Sequence, residues 1–116
     1  MKAVVFHEHG GFDKLKYQEV PEPQISPDEV LIKVRAASAN YNDVWARQGL
    51  PGMDILLPHI SGSDIAGEVV GVGQEVRSIS LGDEIVVHPG ISCRRCYACT
   101  MGEEFFCREF KIWGFQ

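Results

Sequence analysis

Apolar and polar residues alternate along much of this chain, and prolines and glycines interrupt the alternation at short intervals. That pattern predicts short half-buried strands joined by tight turns. Strands are expected over residues 3–6, 15–20, 29–37, 64–72 and 84–88. The segment EVLIKVRAA at 29–37 carries the strongest alternation. Pro21 and Pro23 end the second strand, and Leu81-Gly82-Asp83 turns the chain before the last. The glycines inside 64–72 mark a bulge or a close backbone approach. One short helix is expected over 40–49. Asn40 or Asn42 would cap it, Val44, Trp45 and Ala46 give it an apolar face, and Gly49 stops it. Residues 50–60, with two prolines and a glycine, read as a loop. Many short strands with turn signals between them predict a mostly β fold, a barrel or sandwich.

Length and composition narrow the picture. A chain of 116 residues is one small domain, and 45% hydrophobic residues can form a modest core that a metal staple would support. The net charge of −5 leaves no excess of cations to meet phosphates, which argues against nucleic acid and anionic membranes as partners. No apolar run approaches the roughly 20 residues needed to span a bilayer. Met1–Phe6 is too short for a secretory leader, with Glu8 close behind it. The expected compartment is the cytoplasm, where thiols stay reduced.

Composition alone says little about chemistry, but the cysteines say more. All four fall at Cys93, Cys96, Cys99 and Cys107, in the spacing C-x2-C-x2-C-x7-C. Two Cys-x-x-Cys steps curl a chain so that three sulfurs converge, and the fourth cysteine returns to close the set. Zinc takes four such thiolates at tetrahedral corners, with Zn–S distances of about 2.3 Å. No position is left for water or substrate, so the site is expected to be structural. Four thiolates around one Zn²⁺ leave a net charge of about −2. Arg94, Arg95, Arg108 and Lys111 stand beside the ligands and offset it. Disulfides, a redox-active pair and an iron–sulfur cluster are the competing readings of the same residues. The histidines, His7, His9, His59 and His88, lack the spacing of metal ligands and read as solvated or locally hydrogen-bonded.

Three features together carry a family resemblance. The chain opens MKAVVF, followed by Pro-Glu-Pro and the EVLIKV strand. It continues with Gly62-Ser63-Asp64, Gly67, Gly73 and Val76, then Gly82-Asp83-Glu84. It ends in the cysteine lobe. In these it resembles the N-terminal GroES-like domain of the medium-chain dehydrogenase/reductase superfamily, the zinc-containing alcohol dehydrogenases and quinone oxidoreductases. The resemblance implies a partly open GroES-like β-barrel with short helices, and a structural-zinc lobe at about 90–111.

The departures from that pattern bear on the reaction. Zinc-dependent alcohol dehydrogenases of the superfamily begin their catalytic zinc site with Cys-x-x-Asp and continue it with Gly-His-Glu. This chain has Asn40-Tyr41-Asn42-Asp43 and Gly62-Ser63-Asp64 at those places. An amide and a hydroxyl are poor zinc ligands, and one carboxylate cannot hold the ion alone. The chain therefore resembles the zinc-free branches, which move a hydride from NADPH or NADH to an activated alkene or a quinone. On that resemblance Asn40 and Tyr41 would lie near the nicotinamide and the substrate carbonyl, with Tyr41 able to relay a proton. Asp43 would support them or cap the helix. The plain alternatives are a helix cap for Asn40, packing for Tyr41 and a strand-entry polar residue for Asp64.

The superfamily binds its dinucleotide on a Rossmann domain, and Gly71-Val72-Gly73 lacks the strand–turn–helix setting of such a site. These 116 residues are thus expected to be a piece of a longer oxidoreductase, inactive alone and part of a homo-oligomer when whole. Its substrate would be a small enone, quinone, aldehyde or alcohol. Other readings are an alcohol dehydrogenase with altered zinc ligands, and a stand-alone zinc-stabilised β module acting through interactions.

Overall fold

Strand pairing is antiparallel throughout the computed structural model, which describes residues 1–115. Strand β1 (Lys2–Val5) pairs with β2 (Lys16–Glu19). Strand β3 (Val30–Ser38) pairs with β4 (Asp64–Val72), whose other side takes β5 (Glu84–Val86). Two short strands, β6 (Gly90–Ile91) and β7 (Lys111–Ile112), pair at the base of the cysteine lobe. Helix α1 (Tyr41–Gln48) links β3 towards β4, and the short α2 (Tyr97–Thr100) lies inside the lobe. The mostly β fold agrees with the sequence. Among the described residues the strands form three separate sheets that do not close into a barrel. The outer edges of β3 and β5 are unpaired within their sheet, and Val86 on β5 is 82% exposed.

The alternation located strands more accurately than it located burial. In β3 only Val30, Leu31 and Ile32 are half-buried, and residues 33–38 are exposed. Alternation records which side chains share a face, but burial also needs an element packed on that face. The glycine expectation for β4 holds. Register shifts in the β3–β4 ladder fall between Leu31 and Ile32 and between Val34 and Ala36, beside Gly71 and Gly67. A Cβ on Gly67 would stand 2.5 Å from the Lys33 carbonyl oxygen.

The core is small and draws on distant parts of the chain. Phe6, Ala46, Ile55 and Phe115 pack together, with Met53 and Ile112 against them. Phe6 is 1% exposed. Its backbone exchanges hydrogen bonds with His59, at 3.0 and 2.9 Å. The His59 ring packs 5.3 Å from the Phe6 ring, and its Nε2 donates to the Gly114 carbonyl at 3.0 Å. Arg47, 4% exposed, donates to the Gly10 carbonyl and lies 4.5 Å from the Phe12 ring centre. That contact ties the end of α1 to the β1–β2 connection. No helix among the described residues is long and apolar enough to cross a membrane.

Helix α1 begins where Asn40 leaves the extended conformation. The Asp43 carboxylate accepts the Asn40 backbone N–H at 2.8 Å, and the Asn40 side chain faces the Asp43 N–H in return, a reciprocal capping box. Gly49, at φ +81°, ends the helix. Two outcomes follow for stability. Gly67→Ala forces its new methyl group into the Lys33 carbonyl and should lower the unfolding free energy by about 1–3 kcal/mol in a urea titration. Asp43→Ala removes the carboxylate arm of the cap and should cost about 1 kcal/mol, read in the same titration.

Candidate functional site

The fold brings two groups of polar or nucleophilic side chains together. The first is the lobe. Cys93 follows β6, Cys96 caps α2, Cys99 lies within it, and Cys107 closes a 3₁₀ turn over Glu104–Phe106. Arg94 adopts φ +57°, the left-handed turn between the first two cysteines. The backbone N–H of Cys96 points at the Cys93 sulfur, 3.4 Å away, and the N–H of Cys93 at the Cys107 sulfur, 3.5 Å away. All four Sγ atoms lie within 4.8 Å of one another, with Cys96–Cys99 at 3.5 Å and Cys93–Cys99 at 3.9 Å. A tetrahedral zinc with 2.3 Å bonds needs sulfurs about 3.8 Å apart, so this donor set fits the ion in number, softness and spacing. The four are free thiols, and their separations are far from the roughly 2.0 Å of a disulfide.

The sulfurs perturb one another. The Arg95 and Cys96 backbone N–H groups pull Cys93 down to about 6. The Cys99 N–H favours the Cys96 thiolate, but the adjacent Cys99 and Cys93 sulfurs, together with burial, outweigh it and push Cys96 up to about 11. Four sulfurs this close cannot all ionise unaided. A divalent cation at their centre would remove the conflict by holding every one as thiolate. Outside the lobe core, Arg95 lies 3.8 Å from Glu109, and Arg94 and Arg108 are exposed.

The second group lies where helix α1 meets the sheet. Ser38 stands opposite Asp64 in the β3–β4 register. Asp64 Oδ2 accepts the Ser38 hydroxyl at 3.0 Å and the Asn40 Nδ2 at 3.4 Å. Asn40 and Asp64 thus come together, Asp43 joins them through the cap, and Ser63 is buried at 3% exposure beside Asp64 in the chain. Tyr41 is 66% exposed, and its ring meets Trp45 edge-on at 5.2 Å. Ser38 is the member that sequence reading missed. Its signal was positional, at the end of a strand two residues before Asn40.

The remaining residues with candidate chemistry fall elsewhere. His9 Nδ1 donates to the Ala46 carbonyl at 3.0 Å, His7 pairs with Gln18, and His88 Nδ1 accepts the Gly90 N–H. With His59 on Gly114, every histidine has a hydrogen-bond partner, but His9 and His59 reach across the fold rather than bonding locally as the sequence suggested. Among the described residues the four cysteines are the only His/Cys/Asp/Glu group placed to hold a metal ion. Gly71 and Val72 end β4, and Gly73 opens a turn rather than a helix.

Comparison with known proteins places the arrangement in a family. The family model for the alcohol dehydrogenase GroES-like domain matches residues 26–115. An alcohol dehydrogenase of Schizosaccharomyces pombe is 35% identical over 97% of this chain and 33% of its own length. A crotonyl-CoA carboxylase/reductase of Cereibacter sphaeroides is 37% identical over 98% of this chain and 28% of its own. The crystal structure of an NAD-dependent alcohol dehydrogenase superposes with a TM-score of 0.92 at 40% identity, covering 99% of this chain and 34% of that one. The chain therefore spans about a third of the length of the relatives it matches. By its fold, its cysteine lobe and the family match over residues 26–115, the chain belongs to the alcohol dehydrogenase GroES-like domain family of the medium-chain dehydrogenases/reductases.

Proposed function

We propose that this chain is the substrate-side domain of a longer NAD(P)H-dependent reductase of activated alkenes or quinones, with one structural zinc and no catalytic zinc. The observation that carries the reading is the cluster of Ser38, Asn40 and Asp64. At positions where zinc-type members of the superfamily resemble one another in presenting a thiolate and an imidazole, this chain has an amide and a hydroxyl, and its one carboxylate is engaged by Ser38 and Asn40. Such groups bind and orient a carbonyl but do not compete for a borderline-soft cation. The crotonyl group named in one relative is an activated alkene, which supports the substrate class.

The dinucleotide would supply a hydride when bound, and in this reading Asn40 and Tyr41 lie near its nicotinamide. What this chain contributes is orientation and polarity. Asn40 has an amide N–H for the substrate carbonyl, and the exposed Tyr41 hydroxyl is a proton donor beside it. Cys93, Cys96, Cys99 and Cys107 hold zinc as a staple, in a reducing compartment such as the cytoplasm. The whole enzyme is a homo-oligomer in this reading. A second reading, an alcohol dehydrogenase with shifted ligands, is favoured by the 35% identity to one.

One measurement tests the lobe, and a second decides between the two readings. The 116-residue chain should bind one zinc, and Cys107→Ser should abolish that stoichiometry and cost several kcal/mol of stability. The full-length protein should also contain one zinc per chain and oxidise NAD(P)H with enones or quinones. Two zinc ions per chain together with alcohol oxidation would establish the second reading instead.

A further inference from the structure

We propose that Asp64 is a positioning residue, whose Oδ2 fixes the Asn40 carboxamide so that its remaining N–H is presented to the substrate carbonyl. The inference rests on the reductase reading above. An amide side chain can present either its oxygen or its nitrogen, and its neighbours decide which. On one side of Asn40 stands the Asp43 backbone N–H, which bonds the Asn40 main-chain carbonyl at 3.0 Å and also faces the side chain, a donor that favours the carboxamide oxygen there. On the other stands the Asp64 carboxylate, an acceptor, which selects Nδ2. The two neighbours demand the same orientation. With the oxygen facing the first turn of α1 and one N–H on Asp64, a single N–H is left over. Asn40 is exposed, so that last donor is accessible to a bound molecule.

Asp64 is itself held. Its place in the β3–β4 register sets it opposite Ser38, whose hydroxyl donates to the same oxygen that takes the Asn40 amide. The helix start and the sheet are thereby joined through one carboxylate oxygen. In the proposed reaction the reduced nicotinamide would supply a hydride, and with it two electrons, to the β-carbon of the enone. The C=C pair would shift towards the carbonyl, negative charge would collect on its oxygen, and a proton relayed from solvent through the Tyr41 hydroxyl would complete the α-carbon. A donor aimed at that oxygen strengthens as the charge develops, so its orientation affects turnover more than binding. At 3.4 Å the Asn40–Asp64 bond is long for an amide on a carboxylate, and a substrate carbonyl drawing on the free N–H would tighten it.

The test has two arms. In the full-length enzyme, Asp64→Ala should lower kcat at least about tenfold while KM stays within about twofold. Asp64→Asn keeps an acceptor oxygen and should restore most of the rate. An unchanged kcat in Asp64→Ala, or an Asp64→Asn variant as slow as Asp64→Ala, would overturn the proposal. The second arm needs no turnover. In the 116-residue chain, the Asn40 Nδ2 protons should exchange with solvent several-fold more slowly in the wild type than in Asp64→Ala, by NMR. Equal exchange rates would overturn the proposal. A wild-type enzyme that reduces neither enones nor quinones would defeat the reductase reading, and the exchange rates would still decide the role of Asp64.

Discussion

Four sulfurs within 4.8 Å of one another close the C-terminal quarter of the chain, and as thiolates they would repel one another unless a cation joined them. The lobe contains no strand longer than two residues and only a four-residue helix. Its backbone hydrogen bonds are mostly short-range turns, such as Thr100 to Cys96 and Cys107 to Glu104. The consequence reaches the core. After Cys107 the chain returns through β7, with the Trp113 N–H on the Pro89 carbonyl at 2.8 Å, and it delivers Phe115 to the side of Phe6. Gly114, at φ +73°, lies so close to Gly62 that no side chain fits between them. Its carbonyl takes the His59 ring. The lobe closure thus sets the backing of the Gly62-Ser63-Asp64 segment, and the metal staple and the polar cluster are mechanically related though chemically separate.

The polar cluster carries out with hydrogen bonds a cross-linking task that a metal ion would carry out with coordinate bonds. A ligated ion would tie the start of α1 to the segment before β4. In this chain a single Asp64 oxygen does so, taking donors from Ser38 on β3 and Asn40 at the cap of α1. The bonds are individually modest and their groups are accessible to water, so the tie is softer than a metal centre. Capping compensates at the helix end, where the Asp43 carboxylate also complements the positive end of the helix dipole.

Much of this was legible in the sequence for identifiable reasons. Strand β4 was read at its observed bounds because nine residues give the alternation several periods, and its glycines announced the bulges correctly. The cap and stop of α1 were legible because Asn40 and Gly49 act locally, whereas the buried face was not: Trp45 is exposed and Arg47 is buried beside Ala46. The cysteine grouping was legible because ligand chemistry and spacing survive without any knowledge of the fold. Strands β6 and β7 and helix α2 were not, because two to four residues are shorter than any usable period. Ser38 was missed because pairing register is a property of two strands, and it cannot be read from one. The exposure of residues 33–38 was hidden for the same reason, since nothing in β3 itself says whether a neighbour will cover it.

The contrast between the two sites bears on how a reaction can change while a fold persists. Removing one cysteine from the lobe would leave three crowded sulfurs around a deficient site, and the segment carrying Phe115 would lose its anchor. That site is constrained by the fold. The position at Asn40, Ser63 and Asp64 joins a helix start to a strand, and under the reductase reading it also leaves one polar group facing the substrate. An amide with a carboxylate behind it satisfies both conditions. A metal centre would satisfy them too, but it would add a Lewis acid that the activated alkene of the proposed reaction does not require. The cysteine lobe therefore accords with the family match, and under the reductase reading the contribution of the polar cluster turns on which hydrogen of one asparagine is left free.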